Sequence, residues 1–172
     1  MTAEDAGSNA DAALRGLMDE YGTQLLRLCY SWLGDLSLAE DAVQDTFVKA
    51  WRGMDAFRAE SSEKTWLTRI AINSCKDVRR TRWFRRAACA PIEEAESKPA
   101  QDEAFSDDTV FRAVSALPDG EKLAVLLHYY QGFSVKETAD LMNLKVSAVN
   151  SRLARAREKL RQSLRGWYFD EE

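Results

Sequence analysis

Between Phe133 and Leu164 the apolar residues return every three or four positions on either side of one short break, Asn143 to Val146. Such a stretch folds as two helices joined by a tight turn and as little else. Ser134 and Glu137 stand at capping-box spacing, so the first helix is expected to start at Ser134. Ala139 is small where two helices cross closely, and Asn143 tolerates the left-handed conformation that ends a helix. Ser147 is the expected N-cap of the second helix, with Val149, Leu153, Ala156 and Leu160 as its buried stripe. Its other side carries two rows of cations, Arg152, Arg155 and Lys159, then Arg157, Arg161 and Arg165. A capped helix, a turn and a basic helix form the helix-turn-helix that lays a recognition helix in the major groove of DNA. Both rows suit phosphates, while Ala148, Asn150, Ser151 and Arg152 are placed to reach base edges. A solvated amphipathic helix is the alternative.

The remainder of the chain also reads as all-α. With 45% hydrophobic residues but only 8 Gly and 3 Pro in 172, it has material for a core and little for the turns of a β fold. Residues 1–12 lack large apolar groups and are expected to be disordered. Leu14, Leu17, Tyr21, Leu25, Leu28 and Trp32 mark a helix ending at Gly34. Ser37 and Glu40 suggest a second capping box, opening a helix with Val43, Phe47, Ala50 and Met54 buried and Asp41, Gln44 and Asp45 on its other face. Acids near a helix N-terminus suit the macrodipole; they equally suit docking of a basic partner. After a polar loop from Asp55 to Lys64, a helix from about Thr65 should bury Leu67, Ile70, Ala71, Ser74 and Val78. Arg69, Asn73, Lys76 and Arg80 fall in one row on its far side, two kinds of cation for phosphates and an amide for a base edge. Trp66 is read as core, with base stacking as the alternative. Trp83 and Phe84, among arginines, are stacking candidates or a helix-end cap.

Charge is divided by segment. The total is -4, yet Lys64 to Arg86 holds eight basic residues against Asp77, and Lys145 to Arg165 seven against Glu158. Between them, Glu93 to Asp108 holds seven acids against Lys98. The chain thus divides into a helical domain at 13–86, an acidic linker at 87–108 containing Pro91 and Pro99, a helix-turn-helix domain at 109–166 and an acidic tail at 167–172. In the second domain Pro118 should open a helix that buries Ala124, Leu127 and Tyr130 and stops at Gly132. Cys29, Cys75 and Cys89 form no CxxC pair and His128 stands alone, so neither a metal site, a cofactor nor a catalytic constellation is assembled. Isolated thiols fit the reducing cytoplasm, and no apolar run is long enough for membrane insertion.

Two blocks, AEDAVQDTFVKAW with DAFR and TWLTRIAINSCKD, then ALPDGEKLAVLLHYYQGFSVKETADLM with SRLARAREKLR, carry a resemblance. The chain resembles the bacterial sigma factors of RNA polymerase, specifically the extracytoplasmic-function (ECF) branch of the sigma-70 family. The resemblance implies no enzyme activity of its own: such a protein binds core RNA polymerase and directs promoter recognition, promoter opening and transcription initiation. Asp41, Gln44, Asp45 and Phe47 would dock on the β′ clamp helices. Phe57 and Arg58, in the loop that pockets a flipped-out base, would hold the minus-ten element with Arg69, Asn73, Lys76 and Arg80. Ser147, Ala148, Asn150, Ser151, Arg152, Arg155 and Lys159 would read the minus-thirty-five element as duplex, with their domain on the β flap. An anti-sigma factor is a further expected partner. Where the family often has Pro-x-Gly-Thr-Val-Lys/Arg, this chain has Lys145 to Asn150, which leaves its base preference open. The rival reading is a helix-turn-helix repressor or activator that binds duplex DNA independently; the second basic helix, the acidic total and the lack of an obvious dimerisation helix stand against it. A helical protein-interaction module, with both basic rows solvated, is a third.

Overall fold

The computed structural model describes residues 3–88 and 108–165, which include every helix named above. Among the described residues all regular structure is helical, as expected. The chain divides into two compact units, on either side of Pro99 and Ala100. The acidic linker and tail lie almost wholly outside the described residues, as do Cys89 and the side chain of Phe84.

The first unit holds α1 (Ala3–Leu33), α2 (Leu36–Gly53) and α3 (Glu63–Ala88), with α2 packed against both neighbours. Its first helix starts at Ala3, well before the expected onset at residue 13. The segment is alanine-rich, and alanine has the highest helix propensity of any residue. Gly34, with φ at 71°, ends α1 in the left-handed region as expected. The N-cap of α2 is Asp35, not Ser37: its carboxylate accepts from the Leu38 N–H at 3.0 Å and its other oxygen takes Arg82 of α3 at 2.9 Å. Ala39, Ala42 and Ala50 have no exposed surface and let the helices approach closely; Leu25, Leu28, Trp32, Phe47, Leu67 and Ile72 fill the space between. Cys29 and Cys75 are free thiols in this core, and their mutual hydrogen bond and burial push the Cys29 pKa up, so it stays protonated.

The second unit holds α4 (Asp108–Ser115), α5 (Asp119–Val125), a π-helical segment at Leu126–Tyr130, α6 (Val135–Met142) and α7 (Val146–Ser163). The capping box is present, with Glu137 N–H on Ser134 Oγ at 3.2 Å and Ser134 N–H on Glu137 Oε2 at 2.8 Å. Asn143 adopts φ 54° and ψ 49°, the left-handed stop expected of it. Val149, Leu153 and Ala156 are buried and Leu160 half-buried. Tyr130, however, is 54% exposed. The π turn shifts the phase: Gln131 N–H reaches back to Leu126 O, so Gln131 and Phe133 turn inward in its place. His128 Nδ1 lies 2.7 Å from Phe133 O, and since a carbonyl only accepts, that nitrogen donates and ties the segment down. No helix among the described residues is long and apolar enough to cross a membrane.

Candidate nucleic-acid interface

Ser62 starts α3 by accepting the Thr65 N–H on its hydroxyl at 3.1 Å. From there Arg69, Asn73, Lys76 and Arg80 are all exposed. Other cations of α3 serve the fold: Arg79 donates to Trp32 O at 3.0 Å and lies over its indole, and Arg82 binds Asp35. Arg80 leans on Asp77 at 3.3 Å but keeps 69% of its side chain exposed. Preceding α3, the loop places Arg58 outward and stacks Phe57 on Trp66, ring centroids 4.5 Å apart. Trp66 is half-buried between that ring and the backbone at Gly53. Ala59 sits at φ 54°, a strained conformation for a residue with a Cβ, between Arg58 and Glu60.

On α2, Asp41 and Gln44 are exposed. Phe47 is not: it is 6% exposed and part of the core, so it cannot meet a partner and instead holds α2 in place. Asp45 is already engaged by Lys49 at 2.7 Å, and Lys49 also reaches Asp77 at 3.0 Å and Ser74 Oγ at 3.2 Å. Burial works to raise the Asp45 pKa, but hydrogen bonds from Lys49 and Ser74 outweigh it and hold the carboxyl low. The hydrogen bond to Asp45 raises that of Lys49. Sequence reasoning missed Val48 and Trp51, exposed by 45% and 49%. They continue the Asp41 and Gln44 row at steps of four and three, and that phase was the available signal. A groove of about 680 Å³ separates this face from α3, lined by Asp41, Asp45, Lys49, Asp77, Arg80, Arg82 and Arg85 among others.

The recognition-helix candidate α7 differs in two ways from its sequence reading. Its N-cap is Lys145, and Ser147 lies inside the first turn, where its carbonyl accepts from Ser151 Oγ at 3.0 Å. The Arg152, Arg155 and Lys159 row leans on α5, although Arg155 and Lys159 keep 58% and 47% of their side chains exposed. Arg152 lies directly over Gly120, where any Cβ would collide with its guanidinium. Arg155 and Lys159 converge on the buried carboxylate of Glu121 at 3.2 and 2.8 Å. Burial alone would raise the Glu121 pKa; hydrogen bonds from Lys159 and then Arg155 win, and it is lowered. In the second row, Arg157 donates to Tyr129 Oη and Arg161 pairs with Glu158. Ser147, Asn150 and Ser151 are exposed and Ala148 half-buried, around a shallow depression of about 630 Å³ that also takes in Asn143, Leu144 and Lys145. Among the described residues no cluster of potential metal ligands occurs.

Two family descriptions match: Sigma-70 region 2 over residues 17–85 and Sigma-70, region 4 over residues 108–160. The chain is 30% identical over 167 residues to the ECF RNA polymerase sigma factor SigW of Bacillus subtilis, covering 89% of each. It is 31% identical over 164 residues to the RNA polymerase sigma-H factor of Pseudomonas aeruginosa, covering 86% of this chain and 84% of that one. Among solved structures, the sigma factor RpoE of Bartonella quintana, in complex with the anti-sigma factor NepR, superposes with a TM-score of 0.74 at 27% identity, over 88% of this chain and 96% of that one. CnrH, in complex with the cytosolic domain of CnrY, gives 0.69 at 30% identity over 95% of each chain. The chain therefore belongs to the sigma-70 family of RNA polymerase sigma factors, in its extracytoplasmic-function branch, and directs transcription initiation.

Proposed function

We propose that the first unit is the part that docks core polymerase and holds the minus-ten element, and the second the part that reads the minus-thirty-five element on the β flap, with residues 87–108 as linker. The observation that carries this reading is the separation of two surfaces on one unit. The exposed Asp41, Gln44, Val48 and Trp51 row of α2 suits a helical basic partner, the β′ clamp helices. The Arg69, Asn73, Lys76 and Arg80 row of α3, with Phe57 and Arg58 at its start, suits a DNA strand. Unstacking a base costs a few kcal/mol. Its capture beside Asn73 and the Phe57 loop offsets that cost, at about 1–3 kcal/mol per stacked base. At α7, the depression around Ser147, Ala148, Asn150 and Ser151 meets the major groove, while Arg152, Arg155 and Lys159 fix the helix on α5 and touch phosphates only at its edge. No reaction belongs to the chain itself in this scheme; nucleotide addition is the polymerase's, in the cytoplasm. An anti-sigma factor is proposed as partner because the RpoE and CnrH structures were solved with one or with a cytosolic protein domain bound.

Adding the purified protein to sigma-free core polymerase on a genomic promoter library tests the reading by run-off transcription. Promoter-dependent transcripts are expected. Their absence, together with tight site-specific binding by the free protein, would establish the independent repressor or activator instead.

A further inference from the structure

The polar row of α3 extends further than its four members. Trp66 lies three residues before Arg69 and Trp83 three after Arg80, so six side chains follow one another at steps of three, four, three, four and three. These steps keep to one helix face. At about 1.5 Å per residue the two indoles stand about 25 Å apart along the axis, or about seven base steps of 3.4 Å. The ends are not equivalent. Trp66 is stacked on Phe57 and backed by Gly53. Trp83 is 64% exposed, more than any other large hydrophobic residue described, with exposed Arg80 one turn before it and exposed Arg86 one turn after. Asp77, the one acid in α3 after Glu63, is turned to Lys49 and Arg80. The stripe is therefore cationic along its length and carries an exposed indole at its C-terminal end. A nucleic-acid strand offers phosphates and π faces together, whereas an acidic peptide offers charge alone.

We propose that Trp83 is a further DNA-contacting residue of this chain: its indole packs on the sugar or base at the upstream, double-stranded edge of the minus-ten DNA. The strand then runs along α3 from the Phe57 loop to Trp83, its phosphates on Arg80 and Arg86. This rests on the minus-ten reading of α3 proposed above.

The test uses reconstituted holoenzyme and fork-junction DNA built on a promoter recovered by run-off. One fork keeps its upstream duplex; the other is cut at the upstream edge of the minus-ten element. Trp83→Ala is expected to weaken binding about 5- to 150-fold on the long fork, the span of base–aromatic stacking, and to leave the cut fork unchanged. Trp83→Tyr should keep the long-to-cut ratio and Trp83→Leu should lose it; the ratio cancels any effect on folding or core docking. An unchanged ratio in Trp83→Ala, or one retained by Trp83→Leu, overturns the proposal. Asn73→Ala then shows how far the failure reaches: weaker binding to both forks leaves the minus-ten reading standing without Trp83, and no effect on either removes both.

Discussion

Asp45 and Asp41 lie one turn apart on α2, yet only one of them is at liberty to meet a partner. Asp45 is bound to Lys49, which also binds Asp77, so Asp45→Arg sets two cations against each other and loosens α2 from α3. With these side chains 38–49% exposed, that tie is worth about 0.5–1 kcal/mol. Asp41 is exposed. Asp41→Arg should weaken core-polymerase binding about tenfold or more with an unchanged unfolding midpoint, whereas Asp45→Arg should lower both, as titration against labelled core and thermal unfolding will show. Glu121 has a pH signature. Its folded pKa lies below the ordinary 4.5, so its contribution is complete above that value and is lost as pH falls from there through the lower folded value. Urea unfolding of the second unit should become easier over that acid range, and Glu121→Gln should flatten the dependence. Neither pairing was legible in the sequence, since Lys49 and Asp77 lie 28 residues apart and Lys159 and Glu121 lie 38 apart. Spacing along a helix identifies a face but not what covers it.

Helix ends were legible where the signal is local. Ser134, Glu137 and Asn143 act within one turn of themselves, and each does what its chemistry suggests. Ser134→Ala should therefore cost the second unit about 0.5–2 kcal/mol, measured as a lower urea midpoint, while Ser134→Asn restores most of it. Asp35 prevailed over Ser37 because its second oxygen is held by Arg82, 47 residues away, and a serine has neither a second oxygen nor a charge to offer. Tyr130 was misplaced for a different reason: its spacing from Ala124 and Leu127 assumes a regular α-helix, and the π turn at Leu126–Tyr130 breaks that register. The Arg69, Asn73, Lys76 and Arg80 row and the Asp41 and Gln44 pair each keep to one exposed face because they lie in unbroken helices.

On the scale of the whole molecule, each unit has its own core, and the two cationic helices belong to different units. Net charge of -4 means that the free protein approaches DNA against its own acids. Changing Glu93, Glu94 and Glu96 to Gln takes the net charge from -4 to -1. Binding to duplex lacking a promoter should rise on the order of threefold, read by fluorescence anisotropy. An unchanged affinity would show that the acids do not screen the basic helices. The two blocks of family motif were readable at this scale because each runs over more than one helix of its unit. The clamp on α7 has one more consequence. Lys145 to Arg165 contains seven cations, but Glu121 holds two of them, Arg155 and Lys159, and in the promoter contact proposed above it keeps them. Each phosphate neutralised adds about 0.9 to the slope of log affinity against log salt, so the contact will release fewer counterions than the helix has charges, with a slope shallower by close to two. On that proposed reading the cell's ionic strength can rise without stripping this helix from its promoter as fast as its composition implies.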